Sequence, residues 1–191
     1  RRPPRSTLFP YTTLFRSVAW LLPEGPTIRK VTVIPRGMAG GVTWFLAEEN
    51  QLLTTKKFKA QIATALGGRV AEELVFGDVT TGASGDLQSI TRAAKSMVTQ
   101  YGMSDSLGLR VYGERQEMVF LGREISEQRD YSDAIAEKID EEVNEIIETE
   151  YKRVTQLLTD HRDKLDLIAS RLLEVETLNM NEFSELLNAA V

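Results

Sequence analysis

Hydrophobic and polar positions follow two different periods along the chain. Between Thr27 and Leu46, "TIRKVTVIPRG" shows alternation with β-branched enrichment, and "GGVTWFL" repeats the strand-like character. The glycine-rich "PRGMAGG" between them predicts a connection, so the two strands are expected to form an antiparallel pair. From about Thr55 onward, apolar residues recur at spacings of three and four, which predicts helices.

Several segments share this helical period. One begins near Thr55, is predicted to break at Gly67-Gly68 and resumes in "RVAEELVFG". The next runs from Ser84 to Tyr101, and a long amphipathic helix runs from Asp133 to about Leu158. The inward positions predicted for the second are Leu87, Ile90, Ala94, Met97 and Val98.

The chain ends are also expected to be helical. "VAWLLPEG" is typical of a helix end, and "RDKLDLIASRLLEVETL" and "NMNEFSELLNAA" predict two further helices. "LRVYG" and "MVFLG" are short strand-like pieces. The pattern predicts a mainly α protein with a small antiparallel β-sheet, an α+β fold.

Composition narrows the classes of function. The chain has 191 residues, no cysteine, one histidine and a net charge of −5. Disulfides, thiolate metal sites and a cysteine nucleophile are excluded, and the acidic balance argues against a nucleic-acid partner. No apolar run reaches the roughly 18 to 20 residues of a membrane span, so this chain by itself is expected to be soluble.

The first seventeen residues differ from the rest. "RRPPRSTLFPYTTLFRS" is rich in arginine and proline, has no acid, and could suggest a transit peptide or basic arm. It can also be written codon for codon as a common sequencing-library adapter. We therefore expect residues 1–17 to be a disordered artefact and residues 18–191 to form the natural domain.

The stretch "GDVTTGASGDLQ", residues 77–88, places small residues around an acid. It fits a phosphate-binding loop except that Ala83 replaces the required lysine, and a helix precedes it instead of a strand. Two interpretations remain: Ser84 is a helix N-cap with Asp86 as an ordinary first-turn acid, or Asp86 is a functional carboxylate. His161 is predicted to be an exposed helix-start residue without a catalytic role.

Several long blocks carry a resemblance. They include "KVTVIPRGMAGGVTWFLAEE", "LGGRVAEELVFGDVTTGASGDLQ", "AAKSMVTQYGMSDSLG" and "LLTDHRDKLDLIASRLLEVETL". In this order, from Val18 to about Phe183, the chain resembles the peptidase domain of the FtsH family of membrane-anchored, ATP-dependent zinc metalloproteases. The resemblance implies a mainly helical peptidase domain beside a small sheet.

The resemblance also implies roles for particular residues. In that family the two histidines of H-E-x-x-H bind zinc, and the glutamate of the motif activates water. A distant aspartate is the third zinc ligand. That aspartate corresponds to Asp86. Glu72 is similar to a carboxylate near the site that would orient a ligand histidine, with an ordinary solvated helix acid as the alternative. The edge strand Gly41, Val42, Thr43, Trp44 and Phe45 would pair with an extended substrate.

The chain departs from the family at one point. H-E-x-x-H is expected just before "VAWLLP", where the adapter-like segment stands, so the chain is expected to be an inactive fragment without a catalytic residue. The parent protein is expected to be a hexamer in which an ATPase module binds ATP and Mg²⁺. N-terminal segments would anchor it in a membrane, and the peptidase domain would be cytoplasmic and act on polypeptide substrates. The alternative is a non-catalytic helical assembly module.

Overall fold

The computed structural model describes residues 18–34, 41–46, 52–113 and 131–188. Predictions for residues 1–17, for the connection at 35–40 and for "MVFLG" at 118–122 lie outside these ranges. In chain order the elements are α1 (Val18–Leu21), β1 (Ile28–Thr32), β2 (Val42–Phe45), α2 (Thr55–Phe76), a 3₁₀ turn (Thr81–Ala83), α3 (Ser84–Thr99), α4 (Asp133–Asp160), α5 (Arg162–Val175), β3 (Thr177–Asn179) and α6 (Met180–Asn188). The predicted α+β class is confirmed.

Among the described residues, the sheet contains a strand that the sequence analysis does not predict. β1 pairs antiparallel with β2, Val31 lying opposite Thr43, as expected. The other side of β1 pairs antiparallel with β3, so the strand order is β2-β1-β3. The helix predicted through "EVETL" ends instead at Val175, because Glu176 adopts a left-handed conformation with φ of 60°. The residues that follow it are then free to join the sheet.

The predicted break at Gly67-Gly68 is wrong, because α2 runs without interruption through both glycines. Each glycine costs a helix roughly 1 kcal/mol relative to alanine. Burial outweighs that cost, since Ala63, Leu66, Val70 and Ala71 on either side are almost fully buried. These residues belong to the core that α2 forms with α3 and α4. Because the helix is continuous, Glu72 belongs to the same rigid element as these core residues.

The amphipathic patterns of α3 and α4 are largely confirmed. The buried residues of α4 include Ile139, Val143, Val154 and Leu158, and those of α3 are Ile90, Ala94, Met97, Val98 and Thr99. Leu87, predicted to face inward, is 40% exposed. At about 100° per residue Leu87 falls within the angular range of the buried stripe, between Ala94 and Val98, so its exposure follows from its place in the first turn, one turn before the packed part of the helix.

The segment "LRVYG" is a loop rather than a strand. Its shape depends on Tyr112, whose backbone N–H donates to Thr99 O at 2.8 Å. The phenol of Tyr112 donates to Leu107 O at 3.0 Å, and the ring is buried. These contacts fold residues 107–113 back on the end of α3, and among the described residues no strand pairs with this segment.

Glu176 joins α5 to the sheet in a conformation that favours glycine. Its N–H donates to Leu172 O at 2.8 Å, and its carbonyl accepts from Val33 N at 3.0 Å and Thr32 Oγ1 at 3.0 Å. Left-handed geometry costs a residue with a Cβ about 1–2 kcal/mol. The contacts of its carbonyl with Thr32 and Val33 therefore hold the residue in place against this strain.

We expect Glu176→Gly to stabilise the protein by about 1 kcal/mol, because glycine adopts the left-handed conformation without a steric cost. Chemical denaturation monitored by circular dichroism measures the change. Glu174→Gly is the matched control: it lies within α5, so glycine there should destabilise by about 1 kcal/mol. Equal destabilisation by both variants would contradict the interpretation of the turn.

Candidate metal centre

Asp86 lies in the first turn of α3 and is half-buried. The chain reaches it from α2 through a short loop, which begins where Gly77 caps α2 in the left-handed conformation with φ of 63°. The 3₁₀ turn then leads directly into α3. A carboxylate in this position is stabilised by the positive end of the helix dipole, and this holds for a structural acid as well as for a metal ligand.

The start of α3 differs from the prediction. Ser84 is not the N-cap residue: α3 begins with no side-chain cap, and Ser84 N–H donates to Thr81 O within the 3₁₀ turn. The capping side chain is that of Thr80, whose Oγ1 accepts from Gly82 N at 3.2 Å. The sequence analysis missed Thr80. Its signal is a threonine two residues before a glycine, which is typical of a side-chain turn.

Glu72 is a buried acid, only 5% exposed, so the interpretation of it as a solvated helix acid is wrong. Its Oε2 accepts from Thr80 N at 3.0 Å. The Thr80 hydroxyl lies 3.2 Å from Oε1 and 3.1 Å from Oε2 and donates its single proton to this carboxylate. Hydrogen bonds to a charged group contribute about 1.5–3 kcal/mol each, so Glu72 fixes the loop to α2.

The neighbouring acid, Glu73, is exposed and has a different partner. Tyr151 Oη on α4 donates to Glu73 Oε2 at 2.6 Å. This hydrogen bond, with smaller contributions from burial and from the negative charge of Glu73, raises the pKa of Tyr151. The phenol therefore keeps its proton and ties α4 to α2. The two consecutive acids of "AEEL" thus stabilise two different contacts of α2.

His161 stands at the junction of α4 and α5. It is half-buried rather than exposed as predicted, and its Nδ1 lies 3.0 Å from Leu157 O. Leu157 O also accepts the backbone N–H of His161 at 3.2 Å, so ring and backbone both contact the last turn of α4. The position of the His161 ring thus follows from its contact with the local backbone.

The strand predicted to meet a substrate lies at one side of the sheet. β2 comes first in the order β2-β1-β3, with Val42, Thr43, Trp44 and Phe45 forming the strand and Gly41 preceding it. Thr43 is buried, and the Lys30 ammonium lies 5.2 Å from the centre of the Trp44 ring. The role of this strand in substrate binding stays a prediction.

The described donors do not complete a metal site. A protein zinc site generally uses three or four side-chain ligands. Among residues 18–34, 41–46, 52–113 and 131–188, no group of three or more His, Cys, Asp or Glu could hold a metal ion. The single histidine of the chain contacts Leu157 O through its ring. Asp86 is therefore the one described residue that the sequence analysis predicts as a zinc ligand.

Comparison with known proteins agrees with this fold. Residues 16–186 match the model of peptidase family M41. A protein named ATP-dependent zinc metalloprotease FtsH from Chloroflexus aggregans is 54% identical over 170 residues, which are 87% of this chain and 26% of the relative. One of the same name from Veillonella parvula is 52% identical over 163 residues, 85% of this chain and 25% of the relative.

These matches place the mainly helical domain with its small sheet in a peptidase class. The chain belongs to peptidase family M41. It spans about a quarter of the length of the curated relatives named above. In the part of the chain that the structure describes, no helix has the length and apolar character needed to cross a bilayer.

We expect the 191-residue chain to bind zinc only weakly, because one carboxylate does not make a three-ligand site. Equilibrium dialysis followed by metal analysis measures the bound zinc. Asp86→Ala, the matched control, should bind nearly as much. One tightly held zinc per chain that disappears in Asp86→Ala would contradict the prediction.

Proposed function

We propose that this chain is part of an ATP-dependent zinc metalloendopeptidase and contributes Asp86 as the third ligand of its zinc ion. The observation that carries the proposal is the position of Asp86 at the start of α3 in a chain of family M41. The loop before Asp86 is held to α2 by the hydrogen bond between Thr80 and Glu72. The names of the relatives support zinc and ATP dependence.

The remaining parts of the proposed enzyme would come from outside this chain. An H-E-x-x-H helix needs two histidines, and the chain has one. The chain as given is therefore proposed to be inactive. The complete protein would contain an ATPase module that binds ATP and Mg²⁺ and membrane-anchoring segments. It would be a homo-hexamer with a cytoplasmic peptidase domain that degrades membrane and misfolded proteins.

Glu72 has a changed role in this proposal. The sequence resemblance suggested a carboxylate that orients a ligand histidine. Both carboxylate oxygens lie within hydrogen-bonding distance of Thr80. We assign Glu72 to the loop that precedes Asp86, so that the acid supports the aspartate ligand through the backbone.

In a complete protein that carries this sequence after an H-E-x-x-H helix, Asp86→Asn should nearly abolish proteolysis, because a neutral amide replaces an anionic ligand. Glu72→Gln should lower zinc affinity or activity by about 10- to 100-fold, as for other groups that support metal ligands. ATP-dependent casein degradation and zinc content measure these effects.

His161→Ala is the control for Asp86→Asn, because its ring contacts only the end of α4 among the contacts described above. It should retain both zinc and proteolysis. If Asp86→Asn kept full zinc and activity while His161→Ala lost both, Asp86 would be only the first-turn acid of α3.

The substrate is proposed to bind as an additional strand beside β2. In an antiparallel sheet the backbone N–H and C=O of one residue point to the same neighbour. Val33 N donates toward Glu176 on the β3 side, so Lys30 and Thr32 point to β2 and pair with Trp44 and Val42. By the same alternation, the main-chain groups of Phe45 point away from β1, toward the proposed substrate.

Backbone methylation of a substrate peptide tests this strand addition. In the complete protein, N-methyl groups on alternate amides of one parity should weaken binding by at least about 10-fold, because each removes a main-chain donor at the edge. The peptide methylated on the other parity is the matched control and should bind nearly as well as the unmodified one. Equal effects of the two patterns would contradict pairing with β2.

A further inference from the structure

The Thr80 hydroxyl lies between two elements that meet at the candidate metal centre. On one side it donates to the buried Glu72 carboxylate of α2, and on the other it accepts from Gly82 N of the 3₁₀ turn. We propose that Thr80 is a positioning residue whose hydroxyl sets the orientation of the start of α3, and of Asp86, relative to α2. The functional part of this inference rests on Asp86 being a zinc ligand, as proposed above.

Both hydrogen bonds can form at once, because a hydroxyl has one proton to donate and lone pairs to accept. The Thr80 backbone N–H gives Glu72 a second donor at 3.0 Å. Thr80 itself is exposed, whereas the carboxylate it binds is buried. The fixed end of this link is therefore α2, and the end it holds in place is the loop.

The start of α3 relies on this link for its side-chain capping. The N-cap position of α3, Ala83, provides no side-chain hydrogen bond. The 3₁₀ turn runs into α3 without an intervening loop, so Thr81 to Asp86 is one continuous helical segment. Its described side-chain cap is Thr80, and the buried side chain of Ala83 is its apolar anchor. A rotation of the turn about this anchor would carry Asp86 with it.

Steric contacts around the two glycines support the same link. A Cβ added at Gly82 would lie 3.1 Å from Thr80 Oγ1, close enough to displace the hydroxyl. A Cβ added at Gly85 would meet no described atom within 4 Å. The hydroxyl thus occupies the space over Gly82, while Gly85 has room for a methyl group.

The test in the 191-residue chain compares Thr80→Val, which keeps the shape and removes the hydroxyl, with Thr80→Ser, which keeps the hydroxyl. Amide hydrogen exchange followed by NMR should show the Gly82 amide exchanging at least about 10-fold faster in Thr80→Val, because it loses its acceptor. Thr80→Ser should restore slow exchange. Unchanged exchange at Gly82 in Thr80→Val would overturn the link.

Thr81→Val is the matched control, since it makes the same chemical change one residue later and no hydrogen bond of the Thr81 side chain is found among the described residues. It should leave Gly82 exchange unchanged. If Thr80→Val does not fold, Gly82→Ala perturbs the same contact and Gly85→Ala is its control. Faster exchange across residues 81–86 is expected only for Gly82→Ala, and equal exchange in both would overturn the link.

The complete protein tests the consequence for Asp86. Thr80→Val should weaken zinc binding on the order of 10- to 100-fold. Thr80→Ser and Thr81→Val should bind as the parent does. Thr80→Val removes a hydrogen bond to a buried carboxylate, so the unfolding midpoint of its metal-free form should also fall, and zinc affinity is the readout that a purely structural role would not change. A lowered midpoint with unchanged zinc affinity would mean a purely structural role and overturn the proposal.

The two proposals can fail separately. If Asp86→Asn weakens zinc binding and Thr80→Val does not, Asp86 is a ligand that Thr80 does not position, so the inference about Thr80 fails alone. If neither variant changes zinc affinity, the proposed function of Asp86 fails. The exchange of the Gly82 amide would still show whether the hydrogen-bonded link exists.

Discussion

The packing of α2 against α3 and α4 is the contact on which the rest of the described structure depends. One face of α2 contributes much of the core, with Ile62, Ala63, Leu66, Val70 and Ala71 nearly inaccessible to solvent. Near its C-terminal end the same helix carries the buried Glu72 and the exposed Glu73. A single rigid element therefore sets the distance between the core, the loop before Asp86 and the Tyr151 contact to α4.

Much of the fold follows from local patterns. The alternation before and after "PRGMAGG" predicted β1 and β2, and the apolar stripe from Ile139 to Leu158 predicted α4, because these patterns coincide with the faces that are buried. Errors arose where tertiary contacts outweigh local preference. Gly67-Gly68 is helical because its flanks are buried, and β3 exists because β1 offers a side on which Thr177 to Asn179 can pair.

The candidate site was predictable in part. The resemblance assigns Asp86 and Glu72, but the burial of Glu72 and its contact with Thr80 depend on how residues 77–83 turn back toward α2. Gly77 in the left-handed conformation sets the direction in which the chain leaves α2, and the sequence analysis does not predict that direction. The sequence signals the side-chain turn at Thr80, but the contact of Thr80 with Glu72 emerges only from the three-dimensional arrangement.

The third strand has a consequence for how the chain acquires its structure during synthesis. The Thr32 side chain bonds to Glu176, which is 144 residues later in the chain, and β3 follows immediately. A ribosome must therefore deliver nearly the whole domain before β1 gains its second neighbour. Until then that side of the strand is a template for pairing with other chains, and such long-range closure is intrinsically slow. Once β3 has left the ribosome and paired with β1, this side of β1 is no longer exposed to aggregation.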